Sequence, residues 1–110
     1  MYLKCPKKEI EIKELNSIKE QYKSLKFVLE PITYGIKIPN KRSWSTYFFC
    51  QRVDIIITNQ EEEIIKIIEK IKSEKRGILW KKYNIYYLPL NTAKNYKVGE
   101  KLKFKEKDLK

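Results

Sequence analysis

The segment 60–76 constrains the fold of this chain more than any other, because isoleucine recurs through it at short intervals. The isoleucines are Ile64, Ile65, Ile67, Ile68 and Ile71. At 3.6 residues per turn they cover one broad stripe of a helix. Asn59 is a good N-cap, glutamates follow it, and basic residues precede Gly77 at the other end, as a helix dipole favours. The pattern predicts an amphipathic helix that packs on a core.

A second helix is expected between residues 8 and 25, but its start is open. The apolar residues of this region fall at helical spacing: Leu15, Ile18, Tyr22 and Leu25. Residues 9–13 alternate between charged and apolar side chains and would also form a strand. Either residues 2–5 are the first strand and the helix begins near residue 8, or residues 9–13 are that strand and the helix is short. We favour the first interpretation.

Two long apolar segments, 26–38 and 46–58, are predicted to be strands joined by a turn at 39–45. If both apolar faces are covered by the helices, the register is constrained, because a slip by one residue would turn one set of side chains outward. The pairing that satisfies this condition sets Ile36 beside Phe49 and Ile32 beside Val53.

The remaining strand is predicted at 83–90, at or near a sheet edge, because Pro89 cannot donate to a central ladder. The element order is then strand, helix, strand, strand, helix, strand, which is the ferredoxin-like βαββαβ arrangement. We therefore predict a two-layer α+β domain over residues 1–90, with two helices on one face of an antiparallel sheet. Residues 91–110 are rich in lysine and are expected to form a basic C-terminal extension.

Composition excludes several classes of site. Histidine is absent, and the chain has two cysteines and three widely separated glycines. Imidazole-based triads and metal sites, four-cysteine zinc sites and glycine-rich phosphate loops are therefore excluded. Asp54 and Asp108 are the only aspartates, and no clear acid cluster of the kind that a metal-dependent nuclease needs accompanies them. The sequence predicts no enzymatic activity, no metal and no cofactor.

The location follows from what the sequence lacks. No apolar run approaches the roughly 20 residues of a membrane-spanning helix, and the first residues have no signal-peptide core. The protein is therefore expected to be cytoplasmic. Cys5 and Cys50 are then expected to be reduced thiols, whereas export or a hyperthermophilic host would allow a bridge between them.

The charge points to an anionic partner. The formal net charge is +11, from 25 Lys and Arg against 14 Asp and Glu, and charge of this size attracts polyanions. The predicted turn carries Lys41, Arg42 and Trp44, which suit phosphate contacts and base stacking. The alternative is that Trp44 folds back under the turn and seals one end of the core.

The sheet face left free by the predicted helices is a second candidate. In the predicted register this face carries Lys37, Phe48 and Arg52. A flat surface with an aromatic ring and cations is typical of proteins that bind single-stranded RNA. The alternative is that the face packs against the C-terminal extension or a second subunit.

A third candidate is the pair Lys81 and Lys82, which lies between Trp80 and Tyr83. The alternative is structural, because tyrosines in strands are usually half-buried with the hydroxyl at the surface.

Together these features predict a small basic module that binds nucleic acid, with RNA or a ribonucleoprotein as the partner and no membrane. No predicted helix has a continuous basic face, which argues against a reader of the duplex major groove. One alternative is a small protein-interaction module, such as a viral or mobile-element protein that binds or inhibits a larger host complex; its partner would be acidic or a nucleoprotein. Another is a histidine-free nuclease.

Overall fold

A computed structural model describes residues 2–4, 9–15, 30–47 and 49–105. These residues form seven strands and one short 3-10 helix, Ala93–Asn95, with no α-helix among them. The strands are β1 (Tyr2–Lys4), β2 (Glu9–Glu14), β3 (Gly35–Ser45), β4 (Val53–Thr58), β5 (Ile64–Ile71), β6 (Arg76–Leu88) and β7 (Phe104–Lys105). Accordingly, none of the helices in the described part of the chain is long and apolar enough to cross a membrane.

All seven strands belong to one mixed sheet with the order β5-β4-β6-β3-β2-β1-β7. β2 and β3 are parallel, and every other neighbouring pair is antiparallel. The predicted ferredoxin-like α+β fold, with two helices on one face of an antiparallel sheet, is therefore wrong.

β5 occupies the segment that was expected to be the clearest helix. Opposite β4 it contains two bulges, since one extra residue lies between Ile64 and Lys66 and another between Ile68 and Ile71. Each extra residue changes the local spacing of same-face side chains from two to three. A bulged strand with both faces covered therefore reproduces the isoleucine spacing of a helix, and isoleucine itself favours strands because it is branched at Cβ.

β3 continues through the segment that was predicted to be a hairpin turn. Pro39–Ser45 remain in the strand, where Asn40 has a φ of 55° and the pairing with β6 is irregular between Ile38 and Ser43. Ile36 is paired with Tyr87 of β6, so the predicted pairing of this region with Phe49 and Val53 is wrong. The sequence predicts that the segments 26–38 and 46–58 pair with each other. They do not, because β6, which comes later in the chain, lies between β3 and β4.

The N-terminal region resolves the choice that the sequence left open. β1 and β2 form an antiparallel pair, with Leu3 opposite Ile10, so residues 9–14 are a strand and not the start of a helix. The part of the predicted first helix that covers residues 16–25 lies outside the described residues.

The segment 99–105 closes the sheet on itself. Phe104 and Lys105 pair with β1, while Lys101 forms a bridge with Glu63 next to β5. The Ile64 N–H donates to the Glu100 carbonyl at 2.8 Å, and the Gly99 N–H donates to the Ile64 carbonyl at the same distance. Gly99 has a φ of 98°, which glycine adopts without the steric cost that a side chain would bring. This segment therefore forms one edge of the sheet, as β7, and is hydrogen-bonded to the other edge at the start of β5.

Closure gives the sheet two buried faces. The inner cluster draws side chains from most strands and from the closing segment, and includes Leu3, Ile10, Ile12, Ile56, Ile64, Tyr86, Leu88, Ala93 and Leu102. The outer cluster lies on the opposite face and includes Ile32, Ile36, Ile38, Trp44, Phe49, Val53, Ile55, Ile57, Leu79, Tyr83, Ile85 and Tyr87. Ala93 and Leu102, from the segment expected to be an extension, are therefore part of the core.

Candidate nucleic-acid interface

The indole of Trp44 lies in the outer cluster and is only 8% exposed. It packs against Gly77, its direct partner on β6, where a Cβ atom would overlap the ring. Its Nε1 has no hydrogen-bond partner within the described residues. The structure thus gives Trp44 the buried position of the alternative interpretation, and a base has no access to its ring.

Lys37 also points inward. It lies opposite Tyr86 on the inner face of the sheet, and its ammonium donates to Glu62 Oε2 at 3.0 Å and forms a longer ion pair with Glu14 at 3.8 Å. The Lys37 side chain is 13% exposed. Because two carboxylates lie within 4 Å of this ammonium and the Lys37 side chain is nearly buried, Lys37 is engaged within the protein.

Glu62 lies at the centre of a group of polar side chains on the inner face, which we call the inner polar cluster: Glu14, Lys37, Thr58, Glu62 and Tyr86. Its carboxylate accepts hydrogen bonds from the hydroxyls of Tyr86, at 2.7 and 2.8 Å, and of Thr58, at 3.0 Å, in addition to the bond from Lys37. Burial, the hydrogen bond to Glu62 and the nearby carboxylate charges raise the pKa of Tyr86 well above its ordinary value. The Tyr86 hydroxyl therefore stays protonated and donates.

The backbone of Glu62 also has an unusual conformation and a contact with the closing segment. Glu62 has a φ of 63°, an uncommon conformation for a residue with a side chain, and its carbonyl accepts the Leu102 N–H at 2.9 Å. Glu62 thus contacts Lys37, Thr58 and Tyr86 through its carboxylate and the closing segment through its carbonyl.

A different part of the β3–β6 pair forms the exposed candidate site. Ile78 is 84% exposed and Trp80 is 73% exposed, although both lie within β6. Arg42, Lys81 and Lys82 are exposed around them. We call these five residues the Trp80 surface. Ile78 and Trp80 thus form an exposed apolar pair with cations beside it.

Two contacts fix the geometry of the Trp80 surface. A guanidinium nitrogen of Arg42 donates to the Trp80 carbonyl at 3.2 Å, and the Lys81 ammonium lies 4.6 Å from the centre of the indole ring. Among the described residues, no carboxylate forms an ion pair with Arg42, Lys81 or Lys82. The cations of this surface therefore remain available to an external anion, unlike the ammonium of Lys37.

The other predicted site residues do not join this surface in the same way. Lys41 is half-buried opposite Tyr83, whose ring belongs to the outer cluster. Arg52 is exposed just before β4, and Phe48 lies outside the described residues. The proposed free sheet face of Lys37, Phe48 and Arg52 depended on pairing β3 with β4, which does not occur.

Asp54, the aspartate considered for a nuclease, is fully buried. One carboxylate oxygen accepts the Lys70 N–H at 2.9 Å and the other accepts the Ala93 N–H at 2.8 Å. Lys70 lies in the second bulge of β5, with a φ of 53°. Asp54 thus connects this bulge to the 3-10 helix, and both of its oxygens are engaged.

Comparison with known proteins identifies the fold only. No protein-family model matches the chain, and no curated protein matches it. A protein of unknown function from Novosphingobium aromaticivorans superposes with a TM-score of 0.75 and 15% identity over 94% of this chain and 82% of its own. A protein from Sinorhizobium meliloti, described as a "putative transcription regulator", superposes with a TM-score of 0.77 and 10% identity over 93% of this chain and 89% of its own. At such identities the likeness shows a shared fold and does not transfer an activity.

Base stacking is predicted at Trp44, whereas the structure buries Trp44 and exposes Trp80. In the sequence, Trp80 is considered only as a neighbour of Lys81. No local pattern shows that Trp80 is exposed and Trp44 is buried. The available signal was the pair of lysines directly after Trp80, since consecutive lysines are rarely buried. Trp44 also follows two cations closely, at Lys41 and Arg42, so this signal alone did not separate the two rings.

Proposed function

We propose that this protein is a small module that binds nucleic acid through the Trp80 surface. The observation that carries the proposal is an indole with 73% exposure beside Arg42, Lys81 and Lys82, for which no ion pair with a carboxylate occurs among the described residues. Lysine and arginine attract phosphates without regard to sequence, and exposed aromatic rings add stacking. RNA in the cytoplasm, alone or within a ribonucleoprotein, remains the expected ligand.

Phosphate binding by a local group of cations has a measurable signature. The logarithm of the affinity should fall linearly with the logarithm of the salt concentration, by about 0.7 per phosphate contact for a single strand. The net charge of +11 would by itself produce some salt dependence wherever the lysines lie. A test must therefore separate the Trp80 surface from the charge of the whole protein.

The experiment compares two double variants of equal charge in a salt titration with a labelled RNA. The first, Arg42→Gln with Lys82→Gln, removes two cations from the Trp80 surface. The control, Lys66→Gln with Lys94→Gln, removes two exposed lysines from β5 and from the 3-10 helix. We expect the first variant to lower both the affinity and the salt slope, and the control to change them much less. Equal effects, or no binding of the unmodified protein at low salt, would refute the proposal.

The protein-interaction alternative is tested with the same surface. The exposed side chain of Ile78 contributes nothing to phosphate binding and would suit an apolar contact with a protein. A complex recovered with the tagged protein that survives nuclease treatment, and is lost in Ile78→Ser, would favour this alternative.

A further inference from the structure

The side chains of the Trp80 surface are poorly suited to reading a duplex. Base pairs in the major groove are distinguished by paired donors and acceptors, which arginine, asparagine and glutamine match. Here the two side chains at the centre are those of Ile78, which has no polar group, and Trp80, whose only donor is Nε1–H. Arg42 already spends one donor on the Trp80 carbonyl. The two central side chains, Ile78 and Trp80, can therefore contact the faces of bases but supply a single donor to their edges.

The face of a base is available only when the base is unpaired and unstacked. In a duplex each face is covered by the neighbouring base pair, and only the edges and phosphates are accessible. We propose that the Trp80 surface selects single-stranded over double-stranded nucleic acid, with an unpaired base stacked on the Trp80 ring beside Ile78. This inference rests on the proposed function, because it assumes that nucleic acid is the ligand of this surface.

Lys81 fits the same arrangement. Its ammonium lies 4.6 Å from the centre of the Trp80 ring, where it interacts with the electron-rich face of the indole. The phosphates of a strand whose base stacks on that ring lie near the ring edge. A base that stacks on this face displaces the ammonium, and because the Lys81 side chain is exposed and flexible the ammonium can then contact such a phosphate. Ring and cation would then bind adjacent parts of one nucleotide.

The chemistry of stacking is shared by RNA and DNA. Every base has an aromatic face, and stacking tolerates differences in sequence. The 2′-hydroxyl distinguishes the two nucleic acids, and none of the residues of the Trp80 surface is committed to recognise it. Single strands of RNA and of DNA with the same sequence are therefore separate arms of the test.

The test measures fluorescence anisotropy with a short labelled single strand and with its duplex, at one low salt concentration. The unmodified protein is compared with Trp80→Leu, which removes the ring, and with Trp80→Phe, which keeps a smaller one. We expect the single strand to bind about tenfold more tightly than the duplex, and Trp80→Leu to lose about that factor for the single strand only. Trp80→Phe should recover most of the loss.

The outcomes distinguish this inference from the proposed function. Equal binding of single strand and duplex, both insensitive to Trp80→Leu but weakened by Arg42→Gln with Lys82→Gln, would overturn the inference and leave nucleic-acid binding in place. No binding of either ligand would overturn the proposed function as well. Because Trp80 is exposed, its variants are expected to fold, and circular dichroism confirms that before binding is measured.

Discussion

The two tryptophans of this protein occupy the same pair of strands in opposite environments. Trp44 on β3 is 8% exposed and Trp80 on β6 is 73% exposed. Both lie close to cations in the sequence, and both would be considered for stacking on those grounds. The difference comes from the residue opposite each ring: Trp44 faces Gly77, which leaves room for an indole against the backbone, whereas Trp80 lies where the pairing of β3 with β6 is irregular. Burial of an aromatic ring is thus decided across the sheet and not along the strand.

The largest expected effect is a difference in the free energy of unfolding between variants that lack one or the other tryptophan ring. Trp44→Ala removes a ring from the outer cluster and should lower the free energy of unfolding by about 3–5 kcal/mol. Trp80→Ala removes an exposed ring and should change that free energy by about 0.5 kcal/mol or less. Urea denaturation of both variants provides the measurement. Similar losses in the two variants would contradict the assignment of one ring to the core and the other to the surface.

A somewhat smaller effect is expected at the residue opposite Trp44. A Cβ atom at Gly77 would overlap the indole, so Gly77→Ala forces the ring or the strand to move. Overpacking of this kind costs about 1–3 kcal/mol. In the double variant Gly77→Ala with Trp44→Leu the smaller side chain should relieve much of that cost, so the two substitutions should not be additive. Additive losses in urea denaturation would show that Gly77 is needed for another reason.

The stability of the protein at alkaline pH should depend on Tyr87, which contacts the residue next to Trp44. The Tyr87 hydroxyl accepts the Ser45 N–H at 3.1 Å and donates to the Ser45 carbonyl at 2.9 Å, which fixes the residue next to Trp44. Burial raises the pKa of Tyr87 to about 12, although the backbone contact with Ser45 acts in the opposite direction. In the unfolded chain the ordinary value of 10.0 applies. The folded state therefore retains the proton in the interval between these values.

The resulting contribution to stability is complete below pH 10 and is lost as the pH rises towards 12. Its slope is about 1.4 kcal/mol per pH unit for one group. Tyr87→Phe should lower stability at neutral pH by about 1 kcal/mol, because the hydrogen bonds with Ser45 are lost, and should weaken the alkaline decline. Tyr47→Phe is the control, since Tyr47 is exposed. An alkaline decline that is the same in Tyr87→Phe as in the unmodified protein would exclude this origin.

The sequence allowed single strands to be located better than their partners. Residues 83–90 are predicted as a strand at or near an edge, and 83–88 lie in β6, which is a strand but lies inside the sheet. Residues 9–13 alternate and lie in β2, although the favoured interpretation began a helix near residue 8. Alternation and β-branched residues are local properties, so they can be recognised without knowledge of the neighbours. The insertion of β6 between β3 and β4 joins residues far apart in the sequence, and no local pattern encodes it.

The helix predicted at 60–76 and the exposed position predicted for Lys37 are both wrong for reasons that lie in the closed sheet. β4 is buried on both faces and has no alternation of polar and apolar residues, and the bulges of β5 place its isoleucines at intervals of three, as in a helix. The contact of Lys37 with Glu62 could not be predicted either, because the glutamates after Asn59 are expected in the first turn of a helix. Once β5 is a strand, Glu62 is free to turn inward and pair with Lys37 and Tyr86. The wrong fold and the wrong expectation that Lys37 lies on a free sheet face therefore have the same cause.

The smallest expected effect tests the ammonium that lies over the Trp80 ring. Iodide is an anionic quencher of tryptophan fluorescence, and Lys81 should raise its local concentration at Trp80 at low salt. In a Trp44→Phe background, where Trp80 is the sole fluorophore of its kind, Lys81→Gln should lower the iodide quenching constant by about a factor of two or less, and added salt should abolish the difference. Neutral acrylamide is the control, and it should quench both proteins to a similar extent. A change with acrylamide as large as that with iodide would mean that Lys81 shields or orients the ring sterically, and that it does not supply the local positive charge on which the proposed phosphate binding depends.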